Sequence, residues 1–151
     1  MVEDKPVLGW LGTGVMGNPM CCHLLDRGYK LLVFNRTKAK TDNLVAKGAV
    51  FAEPREIAKT VDILFMCMTY PQDVQSQILD SETGVLKYMK PGSILVDHGT
   101  NGPRFAEVKA EACRQYGVHP VDAPVSGGDK GAQAGSLVVM VGAEKEVFQK
   151  V

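Results

Sequence analysis

Short apolar segments alternate with amphipathic segments along most of the chain. The apolar segments are apolar at nearly every position, a pattern typical of strands that are covered on both faces. In the segments between them, apolar residues recur three or four positions apart, as on one face of a helix. The pattern predicts strands over residues 6–11, 30–34, 49–51, 62–68, 93–97, 118–123 and 137–141.

Helices are predicted between these strands, and glycines mark several of their ends. The first begins near Met16 and stops at Gly28. The others cover residues 37–47, 54–59, 72–79 and 104–116. Regular alternation of strand and helix predicts an α/β fold of the Rossmann type, a doubly wound and mostly parallel sheet with helices on both faces.

The last ten residues, GAEKEVFQKV, have the pattern of an amphipathic helix that has just begun. Val147, Phe148 and Val151 are predicted to share its apolar face, and no capping signal follows them. The length of 151 residues fits one domain, and we find no linker or repeat that would divide it. We therefore expect one domain over residues 1–151, truncated before further structure.

Composition narrows the choice of ligand. The chain has 17 Lys and Arg residues against 17 Asp and Glu residues, so its formal net charge is zero. Nucleic acids and membrane surfaces bind proteins through basic patches, so neither is expected as a partner. The N-terminal residues MVEDKPVLGWLG do not resemble a secretory signal, and no run of 18 apolar residues follows. A cytoplasmic protein with a small neutral or anionic ligand is the expectation.

The cysteines and histidines give no sign of a metal site. The cysteines lack C-x-x-C spacing and lie in apolar or amphipathic segments, which predicts buried free thiols in a reducing compartment. The histidines are far apart in sequence. These residues are Cys21, Cys22, Cys67 and Cys113, and His23, His98 and His119.

A glycine-rich motif, Gly12-Thr-Gly14-Val15-Met16-Gly17, joins the first predicted strand to the first predicted helix. In this position G-x-G-x-x-G is the dinucleotide-binding pattern, since its glycines allow a tight turn, close approach of a pyrophosphate and close packing of helix on strand. The N–H groups at the start of the helix then face the phosphates. The alternative is a tight turn that binds nothing.

The residues after the second strand indicate which dinucleotide binds. NAD-binding domains usually place a carboxylate here for the ribose hydroxyls, whereas an arginine suits the 2′-phosphate of NADP. This chain has Asn35, Arg36 and Thr37, followed by Lys38 and Lys40. We therefore predict NADP(H) as the preferred cofactor and keep NAD(H) as possible. The alternative is an ordinary basic helix start on a solvated face.

A second glycine-rich segment, VDAPVSGGDKGAQAGSL at residues 121–137, follows a predicted strand. It places Gly127, Gly128, Gly131 and Gly135 within nine residues, which is more backbone freedom than a connector needs. We expect a ligand to approach this loop closely.

Three segments together resemble the β-hydroxyacid dehydrogenase family: GWLGTGVMGNPM, NRT after the second strand, and DAPVSGGDKGAQAGSL. The resemblance spans nearly the whole chain. It implies the nucleotide-binding half of a two-domain enzyme that transfers hydride between a nicotinamide and a β-hydroxyacid or short semialdehyde. The second, helical half is expected to mediate homo-oligomerisation in the full-length form.

The resemblance also assigns roles to individual residues. Ser126, Gly127 and Gly128 fall where the family holds the substrate carboxylate. Met68, Thr69 and Thr100 fall where the family contacts the cofactor. The catalytic lysine of the family would lie beyond Val151, so no catalytic residue is expected in this chain, and Lys130 is predicted to be exposed and not catalytic.

Three positions depart from the family pattern. Thr13 replaces an apolar residue, His23 an asparagine, and Gly99 a serine before Thr100. The NRT segment favours a reductase like those of glyoxylate and succinic semialdehyde, with NADP(H). Two alternatives stay open, a 3-hydroxyisobutyrate dehydrogenase that uses NAD and a catalytically silent dehydrogenase-like binding module.

Overall fold

The computed structural model describes residues 4–151, which form a six-stranded parallel sheet in the order β3-β2-β1-β4-β5-β6 and a two-stranded antiparallel sheet, β7-β8. Residues 1–3, the first three of the N-terminal segment that does not resemble a secretory signal, lie outside the described residues. The strands are β1 Leu8–Leu11, β2 Leu31–Phe34, β3 Val50–Phe51, β4 Ile63–Met66, β5 Ile94–Asp97, β6 His119–Asp122, β7 Val125–Ser126 and β8 Val138–Val139. The predicted Rossmann-type sheet is confirmed.

Helices cover both faces of this sheet. They are α1 Gly17–Asp26, α2 Asp42–Ala46, α3 Pro54–Thr60, α4 Pro71–Leu79, α5 Pro103–Gln115, α6 Gly128–Ala134 and α7 Lys145–Phe148. Short 3-10 helices cover Lys38–Thr41 and Val85–Tyr88. Apolar side chains of α3, α4 and α5 pack on one face, and those of α1, α2 and α7 pack on the other.

Strands β1 to β5 are apolar at nearly every position because each face of the sheet has its own core. Successive strand residues point to opposite faces. In β4, Leu64 belongs to one core and Ile63 to the other, and in β1 Leu11 and Trp10 are divided in the same way. This division explains why the strands show no alternation of apolar and polar residues.

The order of the strands reverses at β1. Leu8 pairs with Leu31 of β2 on one side and with Ile63 of β4 on the other. The chain continues from β1 outward in one direction to β3, and then returns to β4 and continues outward in the other. In open parallel sheets such a reversal leaves a crevice at the carboxyl ends of the strands, where ligands bind.

The free edge of β6 has few hydrogen-bond donors. The N–H groups of His119 and Ala123 donate to Ser93 and Asp97 on the β5 side. Pro120, which lies between them, has no N–H group. The N–H group of Asp122 donates to Gly142 at 3.0 Å, and Gly142 donates back at 2.7 Å.

Some predicted elements differ from the observed ones. The helix predicted over residues 37–47 is a 3-10 turn followed by the short α2, since Thr41 and Thr13 donate hydroxyl bonds to the carbonyls of Lys38 and Lys40. The strand predicted over 62–68 stops at Met66. The strand predicted over 137–141 is shorter and pairs with β7 outside the main sheet.

Two further segments, the glycine-rich loop and the end of the chain, agree only in part with the predicted elements. The sequence pattern did not predict α6, which follows Gly127 and Gly128 at φ values of +136° and +61°. At the end of the chain, Val147 is buried as predicted. Phe148 and Val151, which are predicted to share its apolar face, are about half exposed, and Val151 lies beyond the end of α7.

His98 is buried in an aromatic stack at the carboxyl end of β5. Its ring lies 5.5 Å from the ring of Trp10 and 5.7 Å from the ring of Phe65, measured between centroids. Its Nδ1 lies 2.8 Å from the carbonyl oxygen of Ala123, which only accepts, so this nitrogen carries a proton. Burial lowers the pKa of His98 below its ordinary value of 6.5.

We expect the free energy of unfolding to fall as the pH drops below about 6.5, because the unfolded chain gains a proton at His98 that the folded chain resists. The slope from one such group is at most about 1.4 kcal/mol per pH unit. His98→Asn keeps a side-chain N–H for Ala123 but removes the titration. Chemical denaturation between pH 8 and pH 5 should show a flatter dependence for this variant.

His119→Asn is the matched control, and it should keep the dependence of the wild-type protein. Asp26, Asp62 and Asp80 do not interfere, because hydrogen bonds lower the pKa of each carboxyl below 3.8 and they therefore titrate at more acidic pH. If the free energy of unfolding of His98→Asn depended on pH as steeply as that of the wild type, His98 would not be the source of the dependence.

Candidate functional site

A cleft of about 650 Å³ lies at the carboxyl edge of the sheet, where the strand order reverses. It runs from the turn after β1, past the end of β2, to the 3-10 helix that precedes β5. Its lining includes seven residues predicted as cofactor ligands, which are Gly12, Gly14, Asn35, Arg36, Thr37, Met68 and Thr69.

Two glycines of the turn are required by the fold itself. Gly12 has a φ of +99°, and a Cβ there would overlap the carbonyl oxygen of Cys67. A Cβ at Gly17 would overlap the carbonyl oxygen of Gly12 and lie 2.8 Å from Nε1 of Trp10. That indole nitrogen donates to the same carbonyl at 2.9 Å. Strand, turn and helix therefore approach too closely for side chains at these positions.

Gly14 is different, because neither its backbone nor its neighbours require a glycine. A Cβ there would meet no atom within 4 Å, and its φ is not in the left-handed region. Gly14 nevertheless lines the cleft. A glycine in this position leaves the backbone open to close approach by a ligand, which is its role in dinucleotide sites. The residues present therefore fit a pyrophosphate.

The N-terminus of α1 follows Gly14 by three residues along the chain. Its first turn has no acidic residue, and no side chain among residues 4–151 caps it. The unpaired N–H groups and the helix dipole favour an anion here. Asn18 is held beside the turn, since its N–H donates to Gly14 at 3.0 Å and its side chain donates to Lys40 at 3.0 Å.

Asn35 shapes the turn with its side chain. Its Oδ1 accepts from the N–H of Thr13 at 3.0 Å, and its Nδ2 donates to the carbonyl oxygen of Thr37 at 3.1 Å. The hydroxyl of buried Thr13 donates to the carbonyl oxygen of Lys40 at 2.9 Å. Thr13, which departs from the family pattern, thus joins the first loop to the second.

The rim of the cleft after β2 is basic and exposed. Arg36 makes no ion pair with any residue from 4 to 151, and Lys40 lines the cleft beside it. The opposite wall is formed by Met68, which packs against the core, and by exposed Thr69. Burial raises the pKa of the Cys67 thiol in this wall to about 11, so it stays neutral.

A smaller groove of about 430 Å³ lies between α1 and α6. Val15, another predicted cofactor residue, lines it, and so do Pro19 and Gln133. His23 of α1 also lines it, with Nε2 only 2.9 Å from the carbonyl oxygen of Ala132 in α6. His23, the second departure from the family pattern, therefore connects α1 to α6 in the second glycine-rich loop.

Six predicted residues line neither cavity. They follow the ends of β1, β5 and β6, and they are Met16, Gly17, Thr100, Ser126, Gly127 and Gly128. Ser126, Gly127 and Gly128 are exposed, and so is Lys130, as predicted. A role for these residues in binding substrate or cofactor stays a prediction.

The sequence pattern did not reveal a buried charge network beside this site. Nζ of Lys109 in α5 lies 2.8 Å from Oδ2 of Asp97 and 3.0 Å from Oδ1 of Asp122. One signal was present, because Lys109 lies four residues from both Phe105 and Cys113, which face the core. A lysine on the apolar face of a helix needs a buried partner.

The described residues place further limits on the site. Among residues 4–151, no three His, Cys, Asp or Glu side chains are grouped closely enough to hold a metal ion. Within the same range, every helix is too short or too polar to cross a membrane. All four cysteines are free, and Cys21 and Cys113 are buried.

Known proteins are similar to this chain in sequence. The family model for the NAD binding domain of 6-phosphogluconate dehydrogenase matches residues 7–151. A 3-hydroxyisobutyrate dehydrogenase-like mitochondrial protein of Arabidopsis thaliana is 41% identical over 145 residues, which are 95% of this chain and 43% of the relative. An NAD-dependent L-serine dehydrogenase of Pseudomonas aeruginosa is 37% identical over 144 residues, 95% of this chain and 48% of the relative.

A solved structure shows the same fold. Psf3 in complex with NADP⁺ and 2-OPP aligns with a TM-score of 0.90 and 34% identity, over 95% of this chain and 51% of that one. The chain thus spans about half the length of the relatives it matches. Fold, cleft and sequence agree that the chain belongs to the NAD(P)-binding domains of the β-hydroxyacid dehydrogenase family, of which it has the N-terminal domain.

Proposed function

We propose that this chain is the NADP(H)-binding domain of an oxidoreductase that transfers hydride between a nicotinamide and a β-hydroxyacid or short semialdehyde. Glyoxylate and succinic semialdehyde are the proposed substrates of the reductive direction. The observation that carries the proposal is the open backbone at Gly14, beside the uncapped N-terminus of α1 and the basic rim at Arg36.

In this proposal each part of the cleft binds one part of the cofactor. The N–H groups from Gly14 to Gly17 hold the pyrophosphate, with Val15 and Met16 in the same turn. Arg36 pairs with the 2′-phosphate and Thr37 adds a hydrogen bond, while the hydrogen-bonded side chain of Asn35 holds the rim in place. The relatives do not share one cofactor, because one is NAD-dependent and another binds NADP⁺.

The second glycine-rich loop is proposed to bind the substrate carboxylate. Ser126 offers a hydroxyl group, and Gly127 and Gly128, which both have a positive φ, offer backbone N–H groups without a side chain in the way. Thr100 is proposed to contact the cofactor on the facing loop. A bound nicotinamide supplies or accepts the hydride.

The proton donor is proposed to lie outside this chain. A proton must reach or leave the substrate oxygen as hydride moves, and a placed acid or base contributes roughly 100- to 10,000-fold to such a step. The resemblance assigns this role to a lysine in the second half of the family enzymes. That half is also proposed to form the interface between subunits.

The cell compartment is proposed from the cysteines. All four are free thiols, which favours a reducing compartment such as the cytoplasm.

We expect Gly14→Ala to weaken NADP⁺ binding by about 10- to 100-fold, since a methyl group would displace a phosphate from charge-assisted hydrogen bonds. Its free energy of unfolding should stay within about 0.5 kcal/mol of wild type, because the added Cβ meets open space. Calorimetric titration and chemical denaturation measure both quantities.

Gly17→Ala is the matched comparison. Its Cβ would overlap the backbone of the turn, so it should lose about 1–3 kcal/mol of stability. A Gly14→Ala protein that binds NADP⁺ as tightly as the wild type does would contradict the proposed site.

We expect the wild-type chain to bind NADP⁺ more tightly than NAD⁺, and Arg36→Gln to remove most of that preference. The loss of a charged partner for the 2′-phosphate should weaken NADP⁺ binding about 10- to 100-fold and leave NAD⁺ binding nearly unchanged. Lys38→Gln, which alters a neighbouring charge outside the cleft lining, is the control. Equal affinities of the wild-type chain for the two dinucleotides would favour the NAD-dependent alternative.

We expect the chain alone to bind NADPH without oxidising it in the presence of glyoxylate or succinic semialdehyde. The reason is that it lacks the proposed proton donor, and exposed Lys130 does not replace it. The absorbance of NADPH, followed over time in the presence of each aldehyde, measures its oxidation. Turnover by the chain that is lost in Lys130→Met would place the proton donor within it.

A further inference from the structure

Lys109 carries a charge into the interior of the protein. Its side chain is 2% exposed, and Asp97, which pairs with it at 2.8 Å, is fully buried. Burying a charge is costly unless it is paired and hydrogen-bonded. The second partner is Asp122, at 3.0 Å. One ammonium group thus joins a residue at the end of β5 to a residue at the end of β6.

Each of the two carboxylates begins a loop. Asp97 shapes the loop after β5, because Oδ1 accepts from the N–H of Gly99 at 2.8 Å and Oδ2 accepts from the side chain of Asn101 at 2.9 Å. A Cβ at Gly99 would lie 2.7 Å from Nδ2 of Asn101, so the tight loop favours the glycine that departs from the family pattern. Thr100 lies within this loop.

Asp122 begins the loop after β6. Its backbone is fixed by two hydrogen bonds to Gly142, and the next residue, Ala123, donates to the carbonyl oxygen of Asp97 at 2.8 Å. Four residues after Asp122 the chain reaches Ser126. The two carboxylates bound to Lys109 therefore belong to the two loops that the proposed function assigns to the cofactor, through Thr100, and to the substrate carboxylate, through Ser126.

Stability alone does not require the second of these ion pairs. The side chain of Asp122 is 41% exposed, so water would solvate its carboxylate without Lys109. Buried ion pairs are in general weak evidence for stability, because apolar residues of similar size often replace them without loss. What the bond to Asp122 does provide is a fixed position for the start of the second loop relative to the first.

We infer that Lys109 is a positioning residue that sets the loop at residues 98–102 and the loop at residues 122–128 at the spacing that receives the nicotinamide and substrate. This inference rests on the proposed function. Lys109 acts through Asp97 and Asp122 and contacts neither ligand. Its loss should therefore weaken binding at the nicotinamide end and spare the adenosine end, which Arg36 and the turn after β1 hold.

Two ligands separate the two ends of the cleft. NADPH occupies both ends, and its nicotinamide fluorescence reports the surroundings of that ring. 2′,5′-ADP carries the adenosine and the 2′-phosphate but no nicotinamide. We expect Lys109→Met to weaken NADPH binding by about tenfold, in the range of coupled polar contacts, and to change 2′,5′-ADP binding by less than about twofold. The fluorescence enhancement of bound NADPH should fall as well.

Asp122→Ala provides a second variant that leaves the buried pair of Lys109 and Asp97 in place. It should shift the ratio of the two affinities in the same direction as Lys109→Met, and the double variant should lose little more than either single variant. If Lys109→Met fails to fold, Asp122→Ala decides the question. Lys47→Met, which breaks an exposed ion pair with Asp26, is the control and should leave the ratio unchanged.

An unchanged ratio of the two affinities in folded Lys109→Met and Asp122→Ala would overturn the positioning role and leave the proposed function intact. Equal weakening of both ligands would also overturn it, since that pattern indicates a general loss of structure. A wild-type chain that binds neither NADPH nor 2′,5′-ADP would overturn the proposed function itself.

Discussion

Close contact between β1 and α1 is the constraint on which the rest of the site depends. Gly17 lies against the carbonyl oxygen of Gly12, and Trp10 donates to that same oxygen across the turn. The contact fixes the start of α1 over the end of β1, and the reversal of strand order then leaves the crevice directly in front of it. Gly14, which lies between Gly12 and Gly17 in the motif, has open space around it, whereas these two glycines have none.

The sequence allowed the sheet and this turn to be predicted because both depend on local signals. Strands covered on two faces are apolar throughout, and Gly12, Gly14 and Gly17 mark the first junction between strand and helix. The interrupted helix after Arg36 was not predictable in the same way. Its course depends on a hydroxyl bond from Thr13, which is distant in sequence.

The second loop shows the same limit. Its glycines were visible in the sequence, but the short sheet of β7 and β8 and the helix α6 depend on pairing with residues far along the chain. Lys109 illustrates the limit most clearly. Its partners lie 12 and 13 residues away in opposite directions, on two neighbouring strands, and a propensity pattern does not register such pairing. Ser126 and Thr100 were located by resemblance alone.

The outer edge of β6 has a consequence for how molecules of this protein meet one another. An exposed edge strand promotes sheet-to-sheet association, because its unpaired N–H groups can donate hydrogen bonds to a strand of a neighbouring molecule. Here the outward positions are Pro120, which has no N–H group, and Asp122, whose N–H group is paired with Gly142. This edge therefore offers an incoming strand no free donor along β6, and the sheet is protected from edge-to-edge aggregation on that side.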